Sequence, residues 1–174
     1  AVVYLIFNEG YAATSGSVLI RQPLCAEAIR LGRVLHELMP DEPETYGLLA
    51  LMLLQDSRRS ARVGPDGELV ILEDQDRTLW DRRQILEGTS LVEQGLRKRR
   101  PGPYQIQAAI AALHGEAHLA DETDWPQIAA LYSTLAELNP SPIVQLNRSV
   151  AVAMARGIEH GLTMMDRLGE TGEL

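Results

Sequence analysis

The chain predicts an all-α fold of antiparallel helix hairpins stacked on one another, and three observations carry that prediction. Residues 46–54 (YGLLALMLL) hold no charge and a single hydroxyl, with no β-branched residue among them. Leu, Ala and Met favour helix over strand, and a helix apolar on every side must be surrounded by neighbours. The run is well short of the ~20 apolar residues of a membrane span, so those neighbours are other helices of the protein. Residues 23–39 supply the second observation: Leu24, Ala28, Leu31, Leu35 and Leu38 fall on one face, and Glu27, Arg30, Arg33 and Glu37 on the other. The third is a recurrence. Pro40 and Pro43, Pro101 and Pro103, and Pro140 and Pro142 each place one Pro after a helical stretch and a second at the start of the next.

Composition bounds the function. With 174 residues, 45% of them hydrophobic, the chain suits one domain with a real core. A net charge of −8 repels phosphate backbones, which argues against direct DNA binding or docking on an anionic membrane. Cys25 is the sole cysteine, so no intramolecular disulfide can form; a reducing, cytoplasmic setting and a role as a small core residue follow. The chain begins directly in AVVYLIF, without the basic, apolar and small-residue segments of a signal peptide. That start is expected of a fragment of a larger protein.

Taken in order, residues 1–13 read as a helix ended by Gly10 and the Thr14–Ser17 loop. The 23–39 helix follows and stops at Pro40. Asp41 with Glu44 reads as a capping box for the buried helix, whose expected partners are the 23–39 helix and the hairpins that follow. Residues 55–77 are polar and contain Gly64-Pro65-Asp66-Gly67, which predicts a loop carrying a small hairpin. Residues 80–99 read as a helix with Ile85, Val92 and Leu96 apolar, and with Gly88 and Gly95 permitting close approach. Residues 104–117 form the next, with a stripe of Ile106, Ala109, Ile110, Leu113 and Ala117. Asp124 and Gln127 look like another capping box, ahead of Ile128, Leu131, Tyr132, Leu135 and Leu138. Ile143, Leu146, Val150 and Met154 predict the inner face of the helix opened by Pro142. Ile158, Leu162, Met165 and Leu168 predict a last helix.

The densest chemistry lies between Gln55 and Arg83: Asp56, Arg58, Arg59, Arg62, Glu73, Asp74, Asp76, Arg77, Asp81, Arg82 and Arg83, with Trp80 among them. Arg forks paired with carboxylates can pin a long loop across helices, and pinning is the preferred reading ahead of partner contact. Catalysis is disfavoured because no nucleophile, base and orienting group converge there by spacing. His114 and His118 are four apart, so on a helix they share a face, and Asp121 or Glu122 could complete a metal site. HGEAH is not HExxH, however, and surface histidines are the better reading, so no metal or cofactor is expected. The basic run 97–100 fits the last turn of a helix, where cations complement the macrodipole. Asn147 lies near an apolar stripe, where an inter-helix hydrogen bond is the ordinary role.

The Pro-bounded helix pairs resemble a degenerate tetratricopeptide (TPR) repeat, whose period is ~34 residues; the long polar segment interrupts the period, and the signature residues are mostly absent. LIFNEGY, LCAEAIRLGRVLHELMPDEPETYGLLALMLL, EDQDRTLWDRRQILEG, PGPYQIQAAIAALHGEA, TDWPQIAALY and NPSPIVQLNRSVAVAMARG, in that order, resemble the C-terminal TPR-like extension of bacterial extracytoplasmic-function (ECF) sigma factors. The resemblance spans essentially the whole chain. It implies an all-helical, non-enzymatic regulatory domain attached, in the intact protein, to sigma regions that bind RNA polymerase and promoter DNA. Its implied partners are those sigma regions, the polymerase or a regulatory protein, and a homo-oligomer is also open. No catalytic residues come with it. A free-standing TPR-like adaptor that binds a peptide or self-associates is the alternative.

Overall fold

The computed structural model describes the backbone of residues 2–11 and 18–170, and side chains over 2–11 and 23–169. Among the described residues it is all-helical: α1 (Val2–Tyr11), α2 (Val18–Leu38), α3 (Pro43–Asp56), α4 (Arg82–Arg97), α5 (Pro103–Glu116), α6 (Trp125–Leu138), α7 (Pro142–Arg156) and α8 (Ile158–Glu170). Successive helices pack on one another, and α3 also packs on α5. No helix among the described residues is long and apolar enough to cross a membrane.

The apolar run is where the sequence places it. All residues from Thr45 to Leu54 are buried, with Met52 fully so and Leu51 2% exposed. Its neighbours are α2 and the helices that follow, and it packs more extensively on α4 and α5 than on α2. Glycines make those approaches possible. A Cβ at Gly88 would meet the Leu54 side chain at 2.6 Å, and one at Gly47 would meet the Gln105 backbone nitrogen at 2.4 Å.

α5 is buried on two faces rather than along one stripe. Ala108, Ala109 and Ala112 join the apolar cluster built from α1 to α4, while Ile106 and Ile110 join a second cluster with Ile128, Leu135, Val144 and Ala151. α5 is therefore the seam between the two halves of the core. Small Ala residues let α3 come close on one side, and branched Ile fills the wider gap to α6 and α7 on the other.

Several boundaries and faces depart from the sequence reading. Gly10 lies inside α1, and the expected Thr14–Ser17 loop falls outside the described residues. α2 starts ahead of Pro23, which sits inside it. Its buried face is Cys25, Ala28, Ile29 and Gly32, while Leu38 is exposed. The polar segment makes three short 3₁₀ turns and one isolated bridge, Val63 to Leu69, in place of a hairpin; Gly67 takes φ 81° at its tip. α7 turns Val144, Ser149 and Ala151 inward, whereas Ile143, Val150 and Met154 are exposed. On α8, Ile158 and Leu162 are exposed and Gly161 is the buried position.

The capping box expected of Asp41 and Glu44 is absent. Glu42 is the N-cap of α3, accepting from the Glu44 N–H. Asp124 does cap α6, accepting from the Gln127 N–H at 3.0 Å. After α4, Lys98 approaches Asp41 and the Tyr46 ring, and Arg100 donates to the Asp41 carbonyl, so the basic run ties the end of α4 to the start of α3.

Candidate functional site

The polar segment between α3 and α4 is fastened at several points. Asp56 accepts from Arg59 and, at 3.0 Å, from Gln84 on α4. Arg62 donates to the Tyr11 carbonyl at 2.6 Å and stacks over the Tyr11 ring, which ties the segment to the end of α1. Asp76 accepts from the N–H and hydroxyl of Thr78, and these bonds hold its carboxyl below the usual carboxylate range. Asp81 caps α4 by accepting from the Arg83 and Gln84 N–H groups, and its own N–H donates to the Ser57 carbonyl. Asp74 is exposed and contributes only a backbone bond to Ile71.

Arg77 and Trp80 are the buried pair of this cluster. The Arg77 guanidinium carbon lies 4.7 Å from the centre of the Trp80 ring. Its Nη1 donates to the carbonyls of His114 at 2.8 Å and Ala117 at 2.9 Å, and Arg82 adds a bond to Gly115. The last carbonyls of a helix have no partner of their own and carry the negative end of its dipole. Arg77 of the α3–α4 connection and Arg82 at the start of α4 meet that need at the end of α5. Burial, with Arg58 and Arg82 nearby, pushes the Arg77 pKa down from its usual value.

The other end of α5 is held by a residue whose role local spacing hides. The Glu44 carboxylate accepts from the backbone N–H of Tyr104 at 3.0 Å and of Gln105 at 3.1 Å. This is an N-cap supplied across the fold, and the negative charge also suits the positive end of the dipole.

The two histidines do not form a pair. α5 ends at Glu116, so His118 lies beyond it and is exposed, while His114 is buried against Trp125, ring centres 5.2 Å apart. His114 is thus not the surface residue expected. Burial, reinforced by Arg58 and Arg77, pushes its pKa down to about 4. Glu122 accepts from the N–H groups of His118 and Leu119. Among the described residues no group of three or more His, Cys, Asp or Glu is placed to hold a metal ion.

Arg58 is the exception to the fastening. It lies 6.0 Å from the Trp80 ring, and its guanidinium has no acceptor among the described residues. It lines a recess of about 290 Å³ with Gln55, Gln107, His114, Tyr132 and Asn147. Asn147 is exposed there and makes no side-chain hydrogen bond among the described residues, contrary to the inter-helix role its position predicts. A second recess of about 350 Å³ shares His114 with the first and is bordered by Glu73, Arg77, Asp121 and Met154. Gln55, Gln107 and Tyr132 were invisible as site residues in sequence, because ordinary amides and a tyrosine within helices carry no motif. The unpartnered polar residue on α7, Asn147, was the available signal.

A family model described as a family of unknown function (DUF6596) matches residues 1–96, which reach through most of α4. An uncharacterized protein of Rhizobium meliloti (strain 1021) is 53% identical over 169 residues. That alignment covers 97% of this chain and 40% of the relative, so the chain spans about two fifths of the relative's length. No solved structure matches the chain.

Proposed function

The chain belongs to DUF6596, a family of unknown function, and we propose, on the resemblance of its sequence to the C-terminal extension of ECF sigma factors, that it is a non-enzymatic regulatory domain of such a factor. It acts in the cytoplasm through contacts with the sigma regions, RNA polymerase or a regulatory protein, with no DNA contact of its own. The observation that carries the reading is the recess at which Gln55 of α3, Arg58 just after it, Gln107 of α5 and Asn147 of α7 come together. Helix pairs stacked in a TPR-like manner offer a concave face to a partner. The charges of the α3–α4 connection support a non-catalytic role, since most are engaged by backbone groups or by one another. The relative's greater length accords with a domain attached to further regions.

The coding sequence upstream of Ala1 tests this reading. Sigma regions are expected there; a stop codon or an unrelated domain would overturn it. A second reading, a free-standing adaptor that self-associates, draws on the exposed Ile143, Ile158 and Leu162. Size-exclusion chromatography with light scattering separates the two, because the adaptor predicts a concentration-dependent dimer.

A further inference from the structure

In a chain of net charge −8, the 290 Å³ recess is lined by one formal charge, that of Arg58, and by no carboxylate. Neighbouring arginines all have acceptors: Arg59 has Asp56, Arg62 the Tyr11 carbonyl, Arg77 those of His114 and Ala117, and Arg82 that of Gly115. Arg58 has none, and its buried Nε is unpartnered, as is the buried Oε1 of Gln55 beside it. A half-buried guanidinium without an acceptor is costly, and its planar fork matches a carboxylate. Tyr132 and Asn147, facing the same space, also have no side-chain hydrogen-bond partner among the described residues. Leu51 and Ile110 give the recess apolar walls.

Two exposed apolar side chains extend the face of α7 that carries Asn147. Val150 and Met154 follow Asn147 at helical spacing on the same face of α7 and are 44% and 51% exposed. The 350 Å³ recess is bordered by Glu73, Asp121 and Arg77, whose guanidinium is already engaged by the His114 and Ala117 carbonyls, so an anion is directed to the Arg58 side. The volume suits a carboxylate and its immediate attachment rather than a nucleotide-sized ligand.

We propose that this recess binds a carboxylate carried on a peptide, either its C-terminal group or an acidic side chain. Arg58 forms the ion pair, Asn147 and Tyr132 donate hydrogen bonds, and Val150 with Met154 supports the adjoining apolar side chain. The idea rests on the interaction-domain reading for its consequence alone. Binding is measured without polymerase, so its failure leaves the sigma-factor question to its own test.

The test is an NMR titration of the protein with acetyl-Leu-Glu-Leu, with acetyl-Leu-Gln-Leu-amide, and with acetate. The acidic peptide is expected to shift the backbone signals of Arg58, His114 and Asn147 saturably, while the amide does not. Arg58→Gln is expected to weaken binding at least about tenfold. Asn147→Leu, at an exposed position, is expected to weaken it without changing the circular dichroism, and it keeps the test open should Arg58→Gln fold poorly. Equal binding of the amide, full binding by both variants, or no saturable shift would overturn the proposal. Acetate binding as tightly as the peptide would overturn the peptide source.

Discussion

Glu44 and Arg77 grip opposite ends of α5: the carboxylate of one accepts from the Tyr104 and Gln105 N–H groups, and the guanidinium of the other donates to the His114 and Ala117 carbonyls. Both come from the α3–α4 pair and its connection. The helix they hold contributes buried residues to both apolar clusters, so the two halves of the core are tied through charges at the termini of their seam.

Arg77→Ala removes two charge-assisted bonds and leaves buried carbonyls at the end of α5 without partners. Such bonds are worth ~1.5–3 kcal/mol each way of counting, and stranded acceptors add to the loss. A destabilisation of about 2–4 kcal/mol is expected in urea unfolding. A midpoint unchanged from the parent protein would show that the grip is not structural.

Glu44→Ala should cost about 1–2 kcal/mol, the range of an N-cap deletion. Glu44→Gln, which keeps an acceptor and loses the charge, should cost less. The same unfolding assay reads both, and a parent-like midpoint for Glu44→Ala would show that the carboxylate does not cap α5.

Gly47→Ala places a methyl 2.4 Å from the Gln105 backbone nitrogen, which cannot move aside as a side-chain tip can. It should part α3 from α5 and cost at least as much as the Arg77 deletion. Gly67→Ala meets nothing within 4 Å and suffers only the strain of a positive φ, a cost of about 1 kcal/mol. Thermal melts of the two variants should rank in that order.

Leu51 is 2% exposed within α3. Leu51→Asp buries an unpaired carboxylate, at a cost of several kcal/mol that rivals total stability. The variant should lack a cooperative thermal transition, and a parent-like melt would contradict the central placement of α3.

Acid should weaken the fold through His114. Its folded pKa of about 4 lies below the ordinary 6.5, so the unfolded chain binds the proton more readily. The stabilisation is complete above pH 6.5 and is lost as pH falls toward 4. Between pH 7 and pH 5 the loss is about 2 kcal/mol. His114→Asn should flatten that part of the profile. Glu87 and Asp76, held low by Arg33 and Thr78, act at lower pH.

The sequence made the α3 burial legible because an unbroken apolar run has a single physical outcome. It misplaced the inner face of α7 for a related reason: periodicity identifies Ile143, Val150 and Met154 as one apolar face without saying whether that face meets a helix or an open groove. Glu44 was read as a local cap because spacing reports only neighbours along the chain, whereas its acceptors serve a helix 60 residues on. The Asp and Arg cluster was recognised as one unit, but the difference between engaged Arg77 and unengaged Arg58 depends on where the end of α5 falls. His114 looked like a surface residue because the packing of Trp125 against it comes from a separate helix.

The claim that the domain regulates a sigma factor is tested most directly by promoter-specific transcription with core RNA polymerase, comparing the full-length protein with the same protein lacking residues 1–174. The account predicts that both direct initiation from the same promoter and that removal of the domain changes the amount of transcript. No promoter-specific initiation by the full-length protein, or identical transcript levels from the two, would contradict it.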